Sequence, residues 1–378
     1  MKNMNIRCSG CGAIIQSNDS LAPGYIDKEV LEKHKDGNFY CKRCFDLKHY
    51  NKNVILKMDN DKYLENLEKI KKDKGLIVYI VDLFDLDGTI LANINDIYKS
   101  DNILLVANKV DLFLNSINLN NIYNYLRRYL KSRNIKVKDV FLMSSFKNED
   151  IDLLIEEIKK NKDNNQNVYF VGMTNVGKST ILNKIIYKYT NEADLITVSN
   201  NVNTTLDNIY IPFDDNSYFV DTPGILNDQS MIYYLSKESY KAITPRSYIR
   251  PKTFQLNKDQ SLFVAGFLRI DYLGKEDDDF KEKASFITNF NNSLLIHRTK
   301  EENADVFYEK HKDDILKYPD SDERLKLGEL RSEIIDVSKD TKIDLAIFGI
   351  GFISIFANGK IRITSFENVK YRIREAMI

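Results

Sequence analysis

Val168-Tyr169-Phe170-Val171-Gly172-Met173-Thr174-Asn175-Val176-Gly177-Lys178-Ser179-Thr180 is an apolar run that breaks into a glycine-framed loop ending in Lys-Ser. The run before the loop is continuous, as a strand buried on both faces requires. A chain of this composition would produce the GxxxxGKS spacing by chance about 0.006 times. Here it ends a predicted strand and opens a predicted helix, Lys178 to about Tyr189. Gly172 and Gly177 let the loop curl so that backbone N–H groups face one centre. The helix N-terminus adds positive potential there. The pattern predicts a phosphate cradle of Gly172, Thr174, Asn175, Val176, Gly177, Lys178, Ser179 and Thr180. In it Lys178 reaches the β- and γ-phosphates and Ser179 holds Mg²⁺.

Working outward, Ile209–Phe213 and Tyr218–Val220 flank Asp214-Asp215-Asn216, a predicted hairpin turn. The hairpin leads into Asp221-Thr222-Pro223-Gly224 (DxxG). There Asp221 would hold Mg²⁺ through water and the Gly224 N–H would sense the γ-phosphate. DxxG also occurs at Asp85–Gly88 and Asp271–Gly274, read here as turns. The polar stretch Ser199–Thr205 is the natural first switch, with Thr205 or Thr204 as a further Mg²⁺ ligand. Upstream lies Asn108-Lys109-Val110-Asp111 (NKxD), a pattern that composition alone would produce about 0.4 times. Its place at the end of the predicted strand Ile103–Ala107 gives it weight, because open parallel sheets bind ligands at strand ends. Asp111 would accept hydrogen bonds from guanine N1–H and the 2-amino group, a pair that adenine lacks. Asn108 would brace the loop and Lys109 would pack along the ring. Ser144 and Ser145 follow the strand Val140–Met143 and fit a guanine loop that uses the Ser145 N–H. The guanine motif thus precedes the phosphate loop, the reverse of the usual chain order.

A helical pattern covers 61–71 (Tyr63, Leu64, Leu67, Ile70), and from Gly75 the chain alternates strand and helix: strand Leu76–Val81, helix Ile90–Tyr98, strand Ile103–Ala107, helix Ile122–Leu130, strand Val140–Met143, helix Ile151–Ile158. A polar linker at 159–167 then joins this half to the phosphate-loop half. The alternation predicts a three-layer α/β sandwich. Past Pro245 strand-like runs (Leu262–Ile270, Ser293–Ile296, Leu345–Phe348, Phe352–Phe356 and Ile361–Thr364) mix with a polar helical stretch near 301–317, which predicts an α+β domain. The expected division is 1–58, 59–240 and 241–378. Fifty-five basic and 55 acidic residues cancel, so any RNA contact needs a local basic patch. Candidates are Arg246, Arg250 and Lys252, and Lys370, Arg372 and Arg374 beside Tyr371. No apolar run approaches the roughly 20 residues of a membrane helix, and no signal core is present at the start. A cytoplasmic protein without membrane contact is expected.

All four cysteines lie in two CxxC knuckles, Cys8–Cys11 and Cys41–Cys44. Two knuckles complete a tetrahedral Zn²⁺ site with no open position, so the metal would be structural. A redox pair is the alternative, and it would need a thioredoxin-like strand–helix unit.

The motif order, the paired CxxC and the run Cys41-Lys42-Arg43-Cys44-Phe45-Asp46-Leu47-Lys48-His49-Tyr50-Asn51 together resemble the YqeH family. So do Val81-Asp82-Leu83-Phe84-Asp85-Leu86-Asp87-Gly88 and Phe348-Gly349-Ile350-Gly351-Phe352. The resemblance spans essentially the whole chain. It implies a circularly permuted P-loop GTPase domain flanked by a zinc module and a C-terminal RNA- or protein-binding domain. It further implies a GTP/GDP-dependent switch, a monomer, in assembly of the small (30S) ribosomal subunit, contacting rRNA and ribosomal proteins. The family's Pro-Gly before the switch threonines is replaced by Val202-Asn203. Ile225 stands where many GTPases place a water-orienting Gln, so turnover is expected to be slow. Asn175 is similar to its counterpart in potassium-stimulated GTPases, which implies K⁺ beside the phosphates; the alternative is that Asn175 only stabilises the loop by local hydrogen bonds. A nucleotide-binding scaffold with little hydrolysis is the alternative function.

Overall fold

Leu76–Asp82 forms the first strand, β1, and all seven of its residues are buried. A strand covered on both faces sits at the centre of a layered sheet. The computed structural model describes residues 15–18, 25–28, 70, 72–114, 116–190, 209–214, 216–222, 230–275, 283–338 and 340–378. Cys8, Cys11, Cys41, Cys44, Thr204, Thr205, Gly224 and Ile225 lie outside the described residues, as does all but residue 70 of the helical pattern at 61–71.

Two one-turn helices follow β1, α1 (Leu86–Thr89) and α2 (Ile94–Ile97), where a single helix Ile90–Tyr98 was expected. Thr89 explains the break. Its Oγ1 donates to the Asp85 carbonyl (2.7 Å) and accepts from the Asp82 N–H (3.0 Å), folding the chain back before a second turn forms. Next come β2 (Ile103–Asn108) and α3 (Leu119–Ser132), which buries Ile122, Tyr125, Leu126, Tyr129 and Leu130. That spacing makes one face of a helix. Then β3 (Asp139–Leu142) leads to α4 (Asn148–Asn161), which runs three residues into the expected linker and leaves 162–167 as the connection. β4 (Val168–Gly172) feeds α5 (Lys178–Thr190), and β5 (Ile209–Asp214) and β6 (Ser217–Asp221) form the expected hairpin.

The six strands lie in the order β3-β2-β1-β4-β6-β5, parallel except for the β5–β6 pair. From β1 the chain works outward to β2 and β3; from β4 it works the other way. β1 and β4 therefore meet at the topological switch point, where open α/β sheets bind ligands.

After a short helix, α6 (Lys237–Ile243), the remainder is mostly sheet rather than an even α+β mixture. One sheet has the order β16-β13-β14-β10-β7 and the other β11-β8-β9-β15-β12, all antiparallel. The strands are β7 (Lys252–Leu256), β8 (Gln260–Val264), β9 (Leu268–Gly274), β10 (Ala284–Phe290), β11 (Ile296–Lys300), β12 (Leu330–Val337), β13 (Ile343–Ile347), β14 (Gly351–Phe356), β15 (Gly359–Phe366) and β16 (Tyr371–Glu375). Two short helices, α7 (Ala304–His311) and α8 (Ser321–Leu327), interrupt them. The sheets close over a core that includes Leu262, Ile270, Phe286, Leu345, Ile353 and Ile361. Met231 and Ile243 belong to this second core.

The sheet containing β13, β14 and β16 is a wall shared by both halves. Leu345, Ile347, Ile353 and Ile355 face the sandwich, while Ala346 and Phe352 join the core of the six-stranded sheet. Strand alternation alone produces this division. On the outer face Arg374 donates to Asp87 (2.6 Å), which also accepts from the Tyr129 hydroxyl (2.8 Å). The same guanidinium lies 3.6 Å from Asp344. Phe352 packs at 6.2 Å from Phe84 and 6.5 Å from Phe113, ring centre to ring centre. Arg374, a candidate RNA contact on sequence grounds, is buried in this ion network and unavailable to RNA. Lysines and arginines on edge strands look alike in sequence; only the fold reveals which one meets a buried carboxylate. Among the described residues no helix is long and apolar enough to cross a membrane.

Candidate functional site

Strand register brings the motifs together. Asp82 pairs with Asn108, Ile80 with Gly172 and Phe170 with Asp221, so four strands release their loops at the same edge. The glycines of the phosphate loop are required by space as well as by curvature. Gly177 has φ +96°, and a Cβ there would stand 2.2 Å from Asn108 Nδ2. A Cβ on Gly172 would meet the Ile80 carbonyl oxygen at 2.6 Å. Asn175 also adopts a left-handed φ of +66°. Val176 is buried, while Thr174, Asn175, Ser179 and Thr180 are exposed on the loop and the first turn of α5.

Asn108 is fully buried and braces two loops at once. Its Nδ2 donates to the Val176 carbonyl (2.8 Å), and its Oδ1 accepts from the Ser145 N–H (2.8 Å). The Ser145 amide expected to face guanine is thus engaged by Asn108, and a guanine oxygen would have to share it. Lys109, in the left-handed region at φ +72°, turns the chain into a 3₁₀ turn over Val110–Leu112. That turn presents Asp111, whose Oδ1 accepts from Ser144 Oγ (2.6 Å). The Lys109 amine pairs with Asp82 (2.5 Å). Burial works against this ammonium, but the Asp82 carboxylate more than offsets it and holds the ammonium above its ordinary range.

Lys178, expected to reach phosphates, is buried and directs its amine at Asp221 Oδ1 (2.5 Å) and the Thr222 carbonyl. A buried ammonium needs a counter-charge, and Asp221 supplies it. The expected phosphate and Mg²⁺ residues are therefore in direct contact. Two hard oxygen donors, the exposed Ser179 hydroxyl and the Asp221 carboxylate, suit Mg²⁺. Among the described residues no cluster of three or more His, Cys, Asp or Glu could hold a metal ion.

A small cavity of about 50 Å³ opens beside the phosphate loop, lined among others by Asp82, Asp85, Lys109, Thr174, Asn175 and Gly349. The two stretches Val81–Gly88 and Phe348–Phe352 meet here: Asp85 accepts from the Gly349 N–H, and a Cβ on Gly351 would lie 2.7 Å from the Phe84 ring. Burial, and then the neighbouring Asp82, push the Asp85 carboxyl up to about 8, against the Gly349 N–H and Lys109. Sequence reasoning took Asp85 for a turn residue and missed Asp82 and Asp87. Three aspartates inside the otherwise apolar run Val81–Leu86 and its next residue were the available signal.

The raised Asp85 titration has a measurable consequence. The folded chain holds this proton more tightly than the unfolded chain, which releases it near the ordinary carboxyl value of about 4. The resulting stability is complete below about pH 4, fades as pH rises, and is gone above about pH 8. Asp85→Asn removes that dependence. Its melting temperature is expected to gain several degrees on the unmodified chain between about pH 6 and pH 9. An unchanged difference at the two pH values would mean that water solvates the carboxyl.

Glu323 forms a second clasp. It accepts from the Ser236 N–H (2.5 Å), Ser239 Oγ (2.6 Å) and the Asp320 N–H (2.8 Å), tying the start of α6 to the start of α8. Burial opposes its charge, and these donors overcome it, holding the carboxyl below its usual range.

Three family models match parts of the chain. The one described as "RsgA GTPase" matches residues 57–230, "50S ribosome-binding GTPase" matches 167–318, and "YqeH-like, C-terminal" matches 283–377. The "Uncharacterized protein YqeH" of Bacillus subtilis (strain 168) is 37% identical over 98% of this chain and 99% of its own length. "NO-associated protein 1, chloroplastic/mitochondrial" of Arabidopsis thaliana is 27% identical, over 92% of this chain and 69% of its own. "Nitric oxide-associated protein 1" of Homo sapiens is 23% identical, over 81% and 64%. A match of this identity across both full lengths, with GTPase models over the six-stranded sheet, assigns the chain: it is a GTP-binding protein with a P-loop GTPase fold, and it belongs to the YqeH family.

Proposed function

We propose that the protein is a GTP-hydrolysing switch that acts in assembly of the small (30S) ribosomal subunit, contacting rRNA and ribosomal proteins as a cytoplasmic monomer. The observation that carries the switch is the convergence of Gly172–Thr180, Asn108–Asp111 and Asp221 on one sheet edge, at the β1–β4 switch point. In this reading loop amides and Lys178 hold the β- and γ-phosphates, and Lys178 leaves Asp221 to do so. Asp111, Asn108, Lys109, Ser144 and Ser145 select guanine. Ser179, Thr205 or Thr204, and Asp221 would hold Mg²⁺, which neutralises phosphate charge when bound. Gly224 would report the γ-phosphate. Asn175 would bring K⁺ beside the phosphates, and Cys8, Cys11, Cys41 and Cys44 would hold a structural Zn²⁺.

A second reading, a nucleotide-binding scaffold with little hydrolysis, is favoured by Ile225, whose side chain cannot orient water. Multiple-turnover phosphate release separates the two. Slow turnover, raised severalfold by KCl over NaCl and made insensitive by Asn175→Ala, is the expected result. No turnover in either salt would leave the scaffold. Sedimentation of cell extract with GTP or GDP tests the ribosomal role. Co-migration with the small subunit supports it; co-migration with the large subunit, the one named in a matched family description, would overturn the assignment.

A further inference from the structure

Net charge is zero, so a surface that gathers cations without acids is unusual for this chain. Residues 127–138, Arg-Arg-Tyr-Leu-Lys-Ser-Arg-Asn-Ile-Lys-Val-Lys, carry six cations and no carboxylate. They form the last turns of α3 and the loop that leads into β3. A groove of about 450 Å³ opens along them, lined by Arg127, Arg128, Lys131 and Lys136 together with Asn134 and aliphatic side chains. Arg127 and Lys131 sit one turn apart, at a rise of about 6 Å, on the same helix face.

Several cations elsewhere on this domain are paired: Lys160 with Glu157, Lys188 with Asp152, Lys162 with Asp214. In the groove Arg128 is held by Glu375 of β16 (2.8 Å), while Arg127, Lys131 and Lys136 have no carboxylate partner among the described residues. Cations in a last helical turn are stabilised by the negative end of the helix dipole. That accounts for Lys131, but not for Lys136 beyond the helix end or for the absence of acids.

We propose that this groove binds the phosphate backbone of double-stranded RNA without reading its sequence. Long flexible cations and an amide suit phosphate oxygens, and the lining offers no aromatic platform on which unpaired bases could stack. The proposal rests on the ribosomal reading for the source of the RNA. The Lys138 N–H bonds the Ile103 carbonyl, so the groove lies at the starting ends of β2 and β3. Asn108 closes the opposite end of β2, about 16 Å away along the strand. The contact is therefore a fixed anchor, equal in the GDP and GTP states.

The test uses the full chain and a labelled RNA hairpin of about 20 base pairs, titrated across a range of salt with GDP or a non-hydrolysable GTP analogue. Arg127→Gln/Lys131→Gln/Lys136→Gln is expected to weaken binding at least tenfold. It should also flatten the dependence of log affinity on log salt by about 2–3 units, roughly 0.7–0.9 for each phosphate no longer neutralised by a side chain. GDP affinity should stay unchanged, and Arg127→Lys/Lys131→Arg/Lys136→Arg should keep the original slope. An unaltered slope in the glutamine variant, or no RNA binding by the unmodified chain, overturns the groove. If the variant loses ribosomal co-sedimentation while its RNA slope is intact, the groove meets an acidic protein instead and the proposal fails. If the unmodified chain binds the hairpin but no ribosomal particle, the ribosomal reading fails separately.

Discussion

Arg374→Ala is expected to cost about 3–5 kcal/mol of folding stability, because it strands buried carboxylates. Asp87 would keep only the Tyr129 hydroxyl (2.8 Å) as a close donor, with Arg372 at 3.7 Å. Asp344 would keep Ser354 Oγ (2.6 Å) and the Met377 N–H (3.0 Å). Burial already pushes the Asp344 carboxyl upward against the pull of Arg374. Without that guanidinium it would take up a proton more readily, so the loss should grow as pH rises. The substitution also removes the guanidinium from the faces of Phe352 (5.4 Å) and Tyr125 (5.8 Å). Urea unfolding of the full chain measures the effect. Arg374→Met combined with Asp87→Asn should recover part of the loss, since a matched neutral pair leaves one fewer unpaired charge. A loss below about 1 kcal/mol, the range of exposed ion pairs, would show that water reaches the network.

Gly177→Ala should abolish tight binding of both GTP and GDP, by at least about 100-fold, while costing the fold only about 1–3 kcal/mol. The added Cβ would stand 2.2 Å from Asn108 Nδ2 at a backbone φ of +96°. Asn108 cannot yield without releasing both the Val176 carbonyl and the Ser145 N–H. One methyl group therefore separates the phosphate loop from the guanine loop. Titration with a fluorescent GDP analogue reads the result. Binding within a few-fold of the unmodified chain would show that the Asn108 brace is dispensable.

The α/β half was legible because its information is local. Apolar runs such as Leu76–Val81 and Val168–Val171, the Asp214–Asn216 turn and the glycine loop each announce themselves within a few residues. Strand ends then placed the motifs on one edge by topology alone. What could not be read depends on partners far apart in the chain. Asp87 meets Arg374 across 287 positions, and Asp85 meets Gly349. The C-terminal strands β7, β10, β12 and β16 escaped notice because polar residues break their alternation, as in Lys252-Thr253-Phe254-Gln255. Leu262–Ile270 looked like one strand. A tight turn at 265–267 divides it, with Gly266 packed so closely on the Leu316 carbonyl that a Cβ would lie 2.7 Å away.

The shared wall of β13, β14 and β16 makes the two halves a single melting unit. Phe352 and Ile353 are neighbours in sequence yet serve opposite cores. An inserted residue in β14 would exchange them and spoil both interiors together. Calorimetry should therefore record one heat-absorption peak for residues 70–378 rather than two. For the same reason this sheet is a poor place for evolution to add or remove chain, and length variation should collect instead at the connections outside it, such as 162–167.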